Sequence, residues 1–161
     1  MQNPPASYGE APADGMQTAR RAAMALLAQA DAEVIERGLA VVDSDAAFSD
    51  LRAPETGLVM LRGRVGGTGS AFNVGEATVT RAAVQLATGE IGFSYVLGRD
   101  TDKARLAAVC DALWQTKARD DIEQHVLAPL RQARDARLDQ ERARTAATKV
   151  DFFTLVRGED D

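Results

Sequence analysis

Alternating apolar and polar positions predict a strand in the middle of the chain. In residues 58–65 the odd positions are mostly aliphatic, while two of the even positions carry arginine. Successive side chains of a strand point to opposite faces, so this pattern predicts one apolar sheet face and one face with two guanidinium groups. The odd positions include Val59, Leu61 and Val65, and the even ones include Met60, Arg62 and Arg64.

Two more strands are predicted after a glycine-rich segment. In residues 76–86 the apolar positions change parity, which predicts either a bulge near Thr80–Arg81 or burial of both strand faces. Thr88-Gly89 indicates a hairpin turn, and residues 91–97 alternate again. We therefore expect an antiparallel meander of three strands, or four if a later segment joins the sheet.

Helical spacing of apolar residues predicts helices before the sheet. A first helix is expected over residues 16–30, and a second from about Asp31 to Gly38, because glycine commonly follows a helix end. Residues 39–53 fit a short strand, a turn or a loop, and Pro54 should end any helix that precedes it.

Helices are also predicted after the sheet. Asp100 or Thr101 can cap a helix whose apolar stripe is expected to cover the apolar sheet face. A further helix begins near Asp120, and Pro129 should kink or break it. The fold class is α+β: a three- to four-stranded antiparallel sheet packed by helices, with helical N- and C-terminal arms. The first stripe is Leu106, Val109, Cys110, Leu113 and Trp114, and the later one is Ile122, Val126, Leu127 and Leu130.

Composition divides the chain into three parts. Residues 1–15 resemble a disordered leader, residues 16–130 a single α+β domain, and residues 131–161 a charged arm with an apolar end. The end is apolar on both parities, which predicts either a strand of the sheet or a segment that docks on a partner. Its apolar residues are Val150, Phe152, Phe153, Leu155 and Val156.

Charge and residue counts exclude several functions. A net charge of -5 over 161 residues argues against nonspecific nucleic-acid binding. With one cysteine and one histidine, the chain has no disulfide of its own and no cysteine- or histidine-rich metal site. Cys110 is expected to be an inert core thiol, and His125 a structural residue. No run approaches the length of a membrane span, and we expect a cytoplasmic protein.

An ordered set of short motifs carries a family resemblance. From about Met24 to Gly158 the chain resembles the PhnG family, the G subunit of the bacterial carbon–phosphorus lyase core complex. Each fragment alone is weakly specific, whereas the ordered set is specific. The matching pieces are Glu55-Thr56-Gly57-Leu58-Val59, Arg62-Gly63-Arg64, Gly66-Gly67-Thr68-Gly69, Phe72-Asn73, Gly75-Glu76, Val79-Thr80-Arg81, Gly98-Arg99-Asp100, Asp111-Ala112 and residues 150–158.

The resemblance implies a role in phosphonate breakdown. Members of this family act with the H, I and L subunits to displace adenine from ATP by a phosphonate such as methylphosphonate. The product is alpha-D-ribose 1-methylphosphonate 5-triphosphate, and the radical J subunit of the same core assembly later breaks the carbon–phosphorus bond. The implied partners are the H, I and J subunits, with the L subunit functionally linked. ATP with Mg is a substrate of the assembly, and no cofactor is expected on this chain alone.

The candidate site residues surround the glycine-rich segment. Its backbone N–H groups and two arginines could hold phosphate oxygens, although no Gly-Lys-Ser/Thr follows as in a P-loop. The alternative, which the sequence favours, is a long hairpin loop fitted to another subunit. No catalytic residue or metal ligand is assigned. The candidates are Arg62, Arg64, Gly66, Gly67, Gly69, Asn73, Glu76, Arg81 and Arg99.

Four of the carboxylates within the matched motifs are candidates for acid–base chemistry. A pair of them could perform acid–base chemistry if the fold brought them together. Helix capping and ion pairing with arginines of the same motifs is the favoured interpretation, because structural ion pairs are common. The chain therefore lacks a complete catalytic set, and two alternatives to a substrate-facing subunit remain: a scaffold that touches no ligand, and a free-standing enzyme. The carboxylates are Glu55, Glu76, Asp100 and Asp151.

Overall fold

A computed structural model describes residues 13–42 and 46–148, with side chains from residue 15 onward. It confirms an α+β fold with one antiparallel sheet. The predicted leader and apolar tail lie outside the described residues except for Ala13–Gly15, where the first helix already begins. The elements are α1 Ala13–Gln29, α2 Ala32–Leu39, β1 Phe48–Arg64, β2 Ala71–Leu86, β3 Ile91–Leu97, α3 Thr101–Leu113, α4 Arg119–Ile122 and α5 Ala128–Ala147.

The described strands form the predicted meander in the order β1-β2-β3. β2 is central, and Gly89 takes the positive φ of 106° that the turn before β3 requires. β1 begins at Phe48 and includes Pro54, which an edge strand tolerates because its N–H is not needed for the ladder. β3 pairs only with Val79–Gln85, so β1 and β2 continue beyond it as a two-stranded ribbon, here called the projecting hairpin (residues 58–78).

The parity change in β2 is explained by its central position. The pairing of β2 with β3 runs without a shift through Thr80 and Arg81, so the bulge considered there is absent. Register shifts lie instead in the β1–β2 pairing, where β1 has extra residues between Asp50 and Glu55. Val79 and Val84 are both buried although they lie on opposite faces, so both faces of this part of the strand are shielded.

The helices cover the sheet face with the smaller side chains. On β3 this face carries Gly92, Ser94 and Val96, all buried, whereas Phe93, Tyr95 and Leu97 are exposed on the other face. The expectation that helices cover the more apolar face was therefore wrong for β3. The physical reason is the close approach of α3, whose backbone would lie 2.0 Å from a Cβ placed at residue 92. The side of the sheet that carries Phe93, Tyr95 and Leu97, opposite to α3, is called the open face below.

α3 is the central helix of the core. As predicted, Asp100 caps it, and its carboxylate accepts a hydrogen bond from the Lys103 N–H at 2.8 Å. Burial extends well beyond the predicted stripe, because α3 packs on the sheet, α1, α2 and α4. Its buried residues are Ala104, Ala107, Ala108, Val109, Cys110, Asp111, Ala112 and Leu113.

α2 does not end at Gly38 as the sequence suggested. The helix continues to Leu39, and Gly38 is buried within its last turn. A Cβ at residue 38 would lie 2.7 Å from the His125 carbonyl oxygen. This glycine is therefore required for close contact between α2 and the segment after α4, rather than for a positive φ at a helix end.

The C-terminal helices bury the apolar residues that were predicted to face inward, and they show where Pro129 lies. A π-helical turn, Glu123–Leu127, connects α4 to α5, so Pro129 lies in the first turn of α5, where its missing N–H is not needed. Ile122, Val126, Leu127 and Leu130 are buried. From residue 132 to residue 148 every position is exposed, which confirms a solvated helical arm.

Candidate functional site

The tip of the projecting hairpin holds most of the candidate residues. Gly66 and Gly67 have φ values of 62° and 77°, a conformation that side-chain-bearing residues rarely adopt. The Gly69 N–H donates to the Val65 carbonyl oxygen at 3.1 Å and closes the loop. Arg64 Nη1 donates to the Gly69 carbonyl oxygen at 3.0 Å. Arg64 therefore braces the loop through a contact within the chain itself.

Arg62 is the other arginine at the tip of the hairpin. It lies opposite Asn73 in the β1–β2 pairing, and both residues are exposed. Among the described residues, no hydrogen bond or ion pair engages the Arg62 guanidinium. Its donors can therefore reach a phosphate or a carboxylate of another molecule.

A second charged group lies at the base of the hairpin, on the open face. Glu55 Oε1 accepts hydrogen bonds from Arg52 at 2.5 Å and from Arg81 at 2.7 Å. These two hydrogen bonds, that from Arg52 first, lower the pKa of Glu55 below its ordinary value. The favoured prediction, that these carboxylates pair with arginines of the same motifs, is thus confirmed for Glu55 and Arg81. An ionised, exposed carboxylate held by two arginines is poorly suited to donate a proton.

The structure divides the candidate residues instead of joining them in one pocket. Arg81 lies eight residues after Asn73 along β2, which is roughly 27 Å at about 3.4 Å per residue. Glu76 pairs with Met60 part-way along the hairpin, and Arg99 follows β3. The loop glycines, Arg62, Arg64 and Asn73 therefore form one group, while Arg81 belongs to the ion-paired group at the base.

Apolar side chains are exposed on both faces of the projecting hairpin. Leu61 lies on the open face, and Leu58 and Met60 point to the opposite face, beyond the reach of the helices. Leu58 is 64% exposed and Met60 56%. Apolar exposure of this extent is typical of a protein–protein contact. The hairpin thus combines a basic tip with uncovered apolar faces.

Sequence reasoning missed a partly buried ion pair that joins α1, α3 and β3. Arg20 donates to both carboxylate oxygens of Asp111, at 2.7 and 2.6 Å. Asp111 Oδ2 also accepts from the Phe93 N–H at 2.8 Å. The hydrogen bond with Asp111 raises the pKa of Arg20 above its ordinary value. The available signal was Asp111 itself, a charged residue within an apolar helix. Its role is structural, because the carboxylate is enclosed by these donors.

The lone cysteine is unsuited to nucleophilic chemistry. Cys110 is fully buried in α3, and burial raises the pKa of its thiol to about 12. At neutral pH the reactive thiolate is therefore scarcely populated, as expected of a core thiol. Within residues 13–42 and 46–148, no cluster of three or more histidine, cysteine, aspartate or glutamate residues could hold a metal ion. Every helix of those two ranges is too short or too polar to cross a membrane.

Fold and site together define a small α+β protein most of whose candidate residues lie on an exposed hairpin, not in an enclosed catalytic cleft. Comparison with known proteins identifies the family. The family described as "Phosphonate metabolism protein PhnG" matches residues 18–158, and the chain belongs to this PhnG family. A relative from Rhizobium meliloti (strain 1021) is 49% identical over 146 residues, which cover 88% of this chain and 90% of the relative. That relative is named "Alpha-D-ribose 1-methylphosphonate 5-triphosphate synthase subunit PhnG".

Proposed function

We propose that this chain is a subunit of an enzyme complex that makes alpha-D-ribose 1-methylphosphonate 5-triphosphate during phosphonate catabolism. The support is membership of the PhnG family and the 49% identity to a subunit with that name. Its partners are the H, I and J subunits of the carbon–phosphorus lyase core complex, with the L subunit functionally linked. The complex acts in the cytoplasm.

The proposed reaction is a displacement at the anomeric carbon of ATP. A phosphonate oxygen forms a bond to C1′, and the bond from C1′ to adenine N9 breaks, so that adenine leaves with the electron pair and takes up a proton. The nucleophile is already anionic, and the triphosphate carries further negative charge. Cationic groups that position these anions therefore contribute strongly to such a reaction.

Within this scheme the chain supplies positioning groups and an interface, and the acid–base chemistry belongs to a partner subunit. Of the carboxylates in the family motifs, Glu55 is ion-paired with Arg81, Asp100 caps α3, and Asp111 is buried with Arg20. The isolated chain is accordingly inactive. ATP and Mg are bound by the assembled complex.

The projecting hairpin is the observation that carries the proposed interface and positioning role. It extends beyond β3 and exposes apolar side chains on both faces, which suits insertion against another subunit. Insertion would bring the tip, with Arg62 and the two positive-φ glycines, to the partner's substrate. Desolvation at such an interface strengthens the attraction between a guanidinium and a polyanion.

Arg62 provides a sharper test than Arg64, because Arg64 also braces the loop. The complex should be assembled with the H, I and J subunits, and adenine release from ATP and methylphosphonate measured with the L subunit present. We expect Arg62→Ala to lower the turnover of the complex at least tenfold while leaving its mass unchanged. Arg142→Ala, on the exposed arm, is the matched control and should leave turnover unchanged.

The alternative is a scaffold that orders the other subunits and touches no ligand. It predicts that Arg62→Ala either does nothing or acts only through loss of assembly. Light scattering and turnover on the same preparations separate the two roles. A lone monomer that ignores all three partners would contradict both. Turnover by the isolated chain would instead favour a free-standing enzyme.

The apolar tail is proposed to anchor the chain in its assembly. Removal of residues 150–161 tests this role, because an anchored complex should lose mass or dissociate on truncation. A complex of unchanged mass and stability would contradict the anchor while leaving the subunit function intact.

A further inference from the structure

The described residues satisfy only half of the outward-facing backbone hydrogen-bonding groups of β3. The Phe93 N–H donates outward to Asp111, and the Ile91 carbonyl oxygen accepts outward from Arg20 and Gln115. Because the N–H and C=O of one residue in an antiparallel strand point the same way, the backbone groups of residues 91, 93, 95 and 97 face away from β2. The Gly98 N–H, which bonds the Thr78 carbonyl, confirms the alternation.

The outward-facing backbone groups in the second half of this edge are not hydrogen-bonded in this way. The Phe93 carbonyl, both backbone groups of Tyr95 and the Leu97 N–H have no hydrogen-bond partner among the described residues. An open row of backbone donors and acceptors on an edge strand is a template for another strand.

Apolar surface borders this open edge on both sides. A groove of about 200 Å³ separates it from α1 and is lined by Met24, Ala25 and Ala28 of that helix. Ser94 also lines the groove, and its buried hydroxyl has no hydrogen-bond partner among the described residues. On the open face, Tyr95 is 51% exposed and Leu97 is 71% exposed. A strand added here would have to be apolar on both of its faces.

We propose that the edge from Phe93 to Leu97 binds the C-terminal segment, residues 150–156, of a second copy of this chain. This inference rests on the docking role proposed for the tail. The segment has the required pattern, since Val150, Phe152 and Val156 share one parity and Phe153 and Leu155 the other. Its seven residues also match the length of β3.

The geometry of α5 favours a second copy over return to the same chain. Leu130 packs beside Leu26 and Ala30 and so anchors the start of α5 at the C-terminal end of α1, close to the groove. Ala147 lies 17 residues further, about 25 Å along the helix at roughly 1.5 Å per residue. A seven-residue strand spans about 23 Å. The segment would therefore use its whole length to return along α5, and none would be left to pair with β3 of the same chain. Reciprocal exchange between two copies satisfies both edges by two-fold symmetry.

Amide hydrogen exchange tests the proposal directly. The full chain should be compared with a chain that ends at Thr148, each over a hundredfold range of concentration. We expect the Tyr95 and Leu97 amides to exchange at least tenfold more slowly in the full chain, and this protection to fade on dilution together with the dimer mass. The Val96 amide, which faces β2, is the internal control and should be slow in both.

Two variants separate backbone pairing from side-chain packing. Tyr95→Pro removes an outward N–H without removing a bond to β2, and it should abolish the dimer. Tyr95→Ala keeps the N–H and should retain the dimer. Far-ultraviolet circular dichroism verifies that both variants fold. If Tyr95→Pro folds and still dimerises, strand addition at this edge is wrong.

Three further outcomes would overturn the inference. Equal exchange of Tyr95 and Leu97 with and without the tail would show that the segment does not cover the edge. Protection that persists on dilution would assign the edge to the same chain, and protection that appears only with the H, I or J subunit would assign it to a partner. Turnover of the assembled complex, measured in parallel, keeps these outcomes distinct from failure of the proposed function.

Discussion

Replacing Gly92 by alanine would place a methyl group where α3 already has backbone atoms. The added Cβ would lie 2.0 Å from the Ala108 carbonyl oxygen and 2.5 Å from the Ala112 nitrogen. An ordinary contact begins at 3.4 Å, so relief of the first contact requires a movement of about 1.4 Å. No side-chain rotation can supply it, because both contacts are with backbone.

The expected cost follows from the packing that α3 would lose. Overpacking of a core costs about 1–3 kcal/mol, and a backbone clash in the central helix belongs at or above the upper end of that range. We expect Gly92→Ala to lower the free energy of unfolding by about 3 kcal/mol. For a domain of this size that loss lowers Tm by roughly 6–12 °C.

A matched control lies in the neighbouring strand. A Cβ placed at Gly75 would have no heavy atom within 4 Å, and the residue has no positive φ, so Gly75→Ala should be neutral or stabilising by up to about 1 kcal/mol. Urea unfolding of the full chain, followed by circular dichroism and by the fluorescence of buried Trp114, measures both variants. Harmless surface substitutions change the free energy of unfolding by roughly 0.5 kcal/mol or less. If Gly92→Ala changed it by no more than this, the close contact of α3 and β3 would be refuted.

Two further predictions concern buried ionisable groups of α3. Asp111→Asn removes the charge that Arg20 pairs with and should cost about 2 kcal/mol in urea unfolding, less than a fully buried pair because Arg20 is partly exposed; an unchanged midpoint would contradict the structural role of the pair. Because the pKa of the Cys110 thiol is raised from 9.0 to about 12, the unfolded chain loses this proton first, so stability should fall as pH rises above about 9. Cys110→Ala should show a shallower fall over that interval, and parallel curves would contradict the raised pKa.

Local signals were sufficient to predict the meander, but not which face the helices cover. The Thr88-Gly89 turn, the Asp100 cap and the alternation of residues 91–97 each depend on nearby residues. The choice of covered face depends on Gly92, which admits α3 at close range, and such a contact between distant segments has no local signature. The same holds for Gly38, which serves a helix contact and not a helix end.

The position of most candidate residues around the glycine-rich loop was predictable from the sequence, but their division into two separate groups was not. Counting residues outward from the glycine-rich loop would pair Glu55 with Thr80, and only an extra residue in β2, at the register shift between Leu61 and Arg62, brings Arg81 opposite Glu55. The loop glycines and the two tip arginines do lie together, as their spacing suggested. That the hairpin extends beyond β3 could not be foreseen, because it depends on the relative lengths of three strands.

The projecting hairpin also has a consequence for how cells must handle this protein. A two-stranded ribbon with aliphatic residues on both sides is a substrate for chaperones and proteases until another protein covers it. Copies made in excess of their partners would therefore be removed, and the abundance of the chain would follow that of the assembly. The exposed residues for which docking is proposed would thus also set the lifetime of an unassembled copy, without any dedicated regulator.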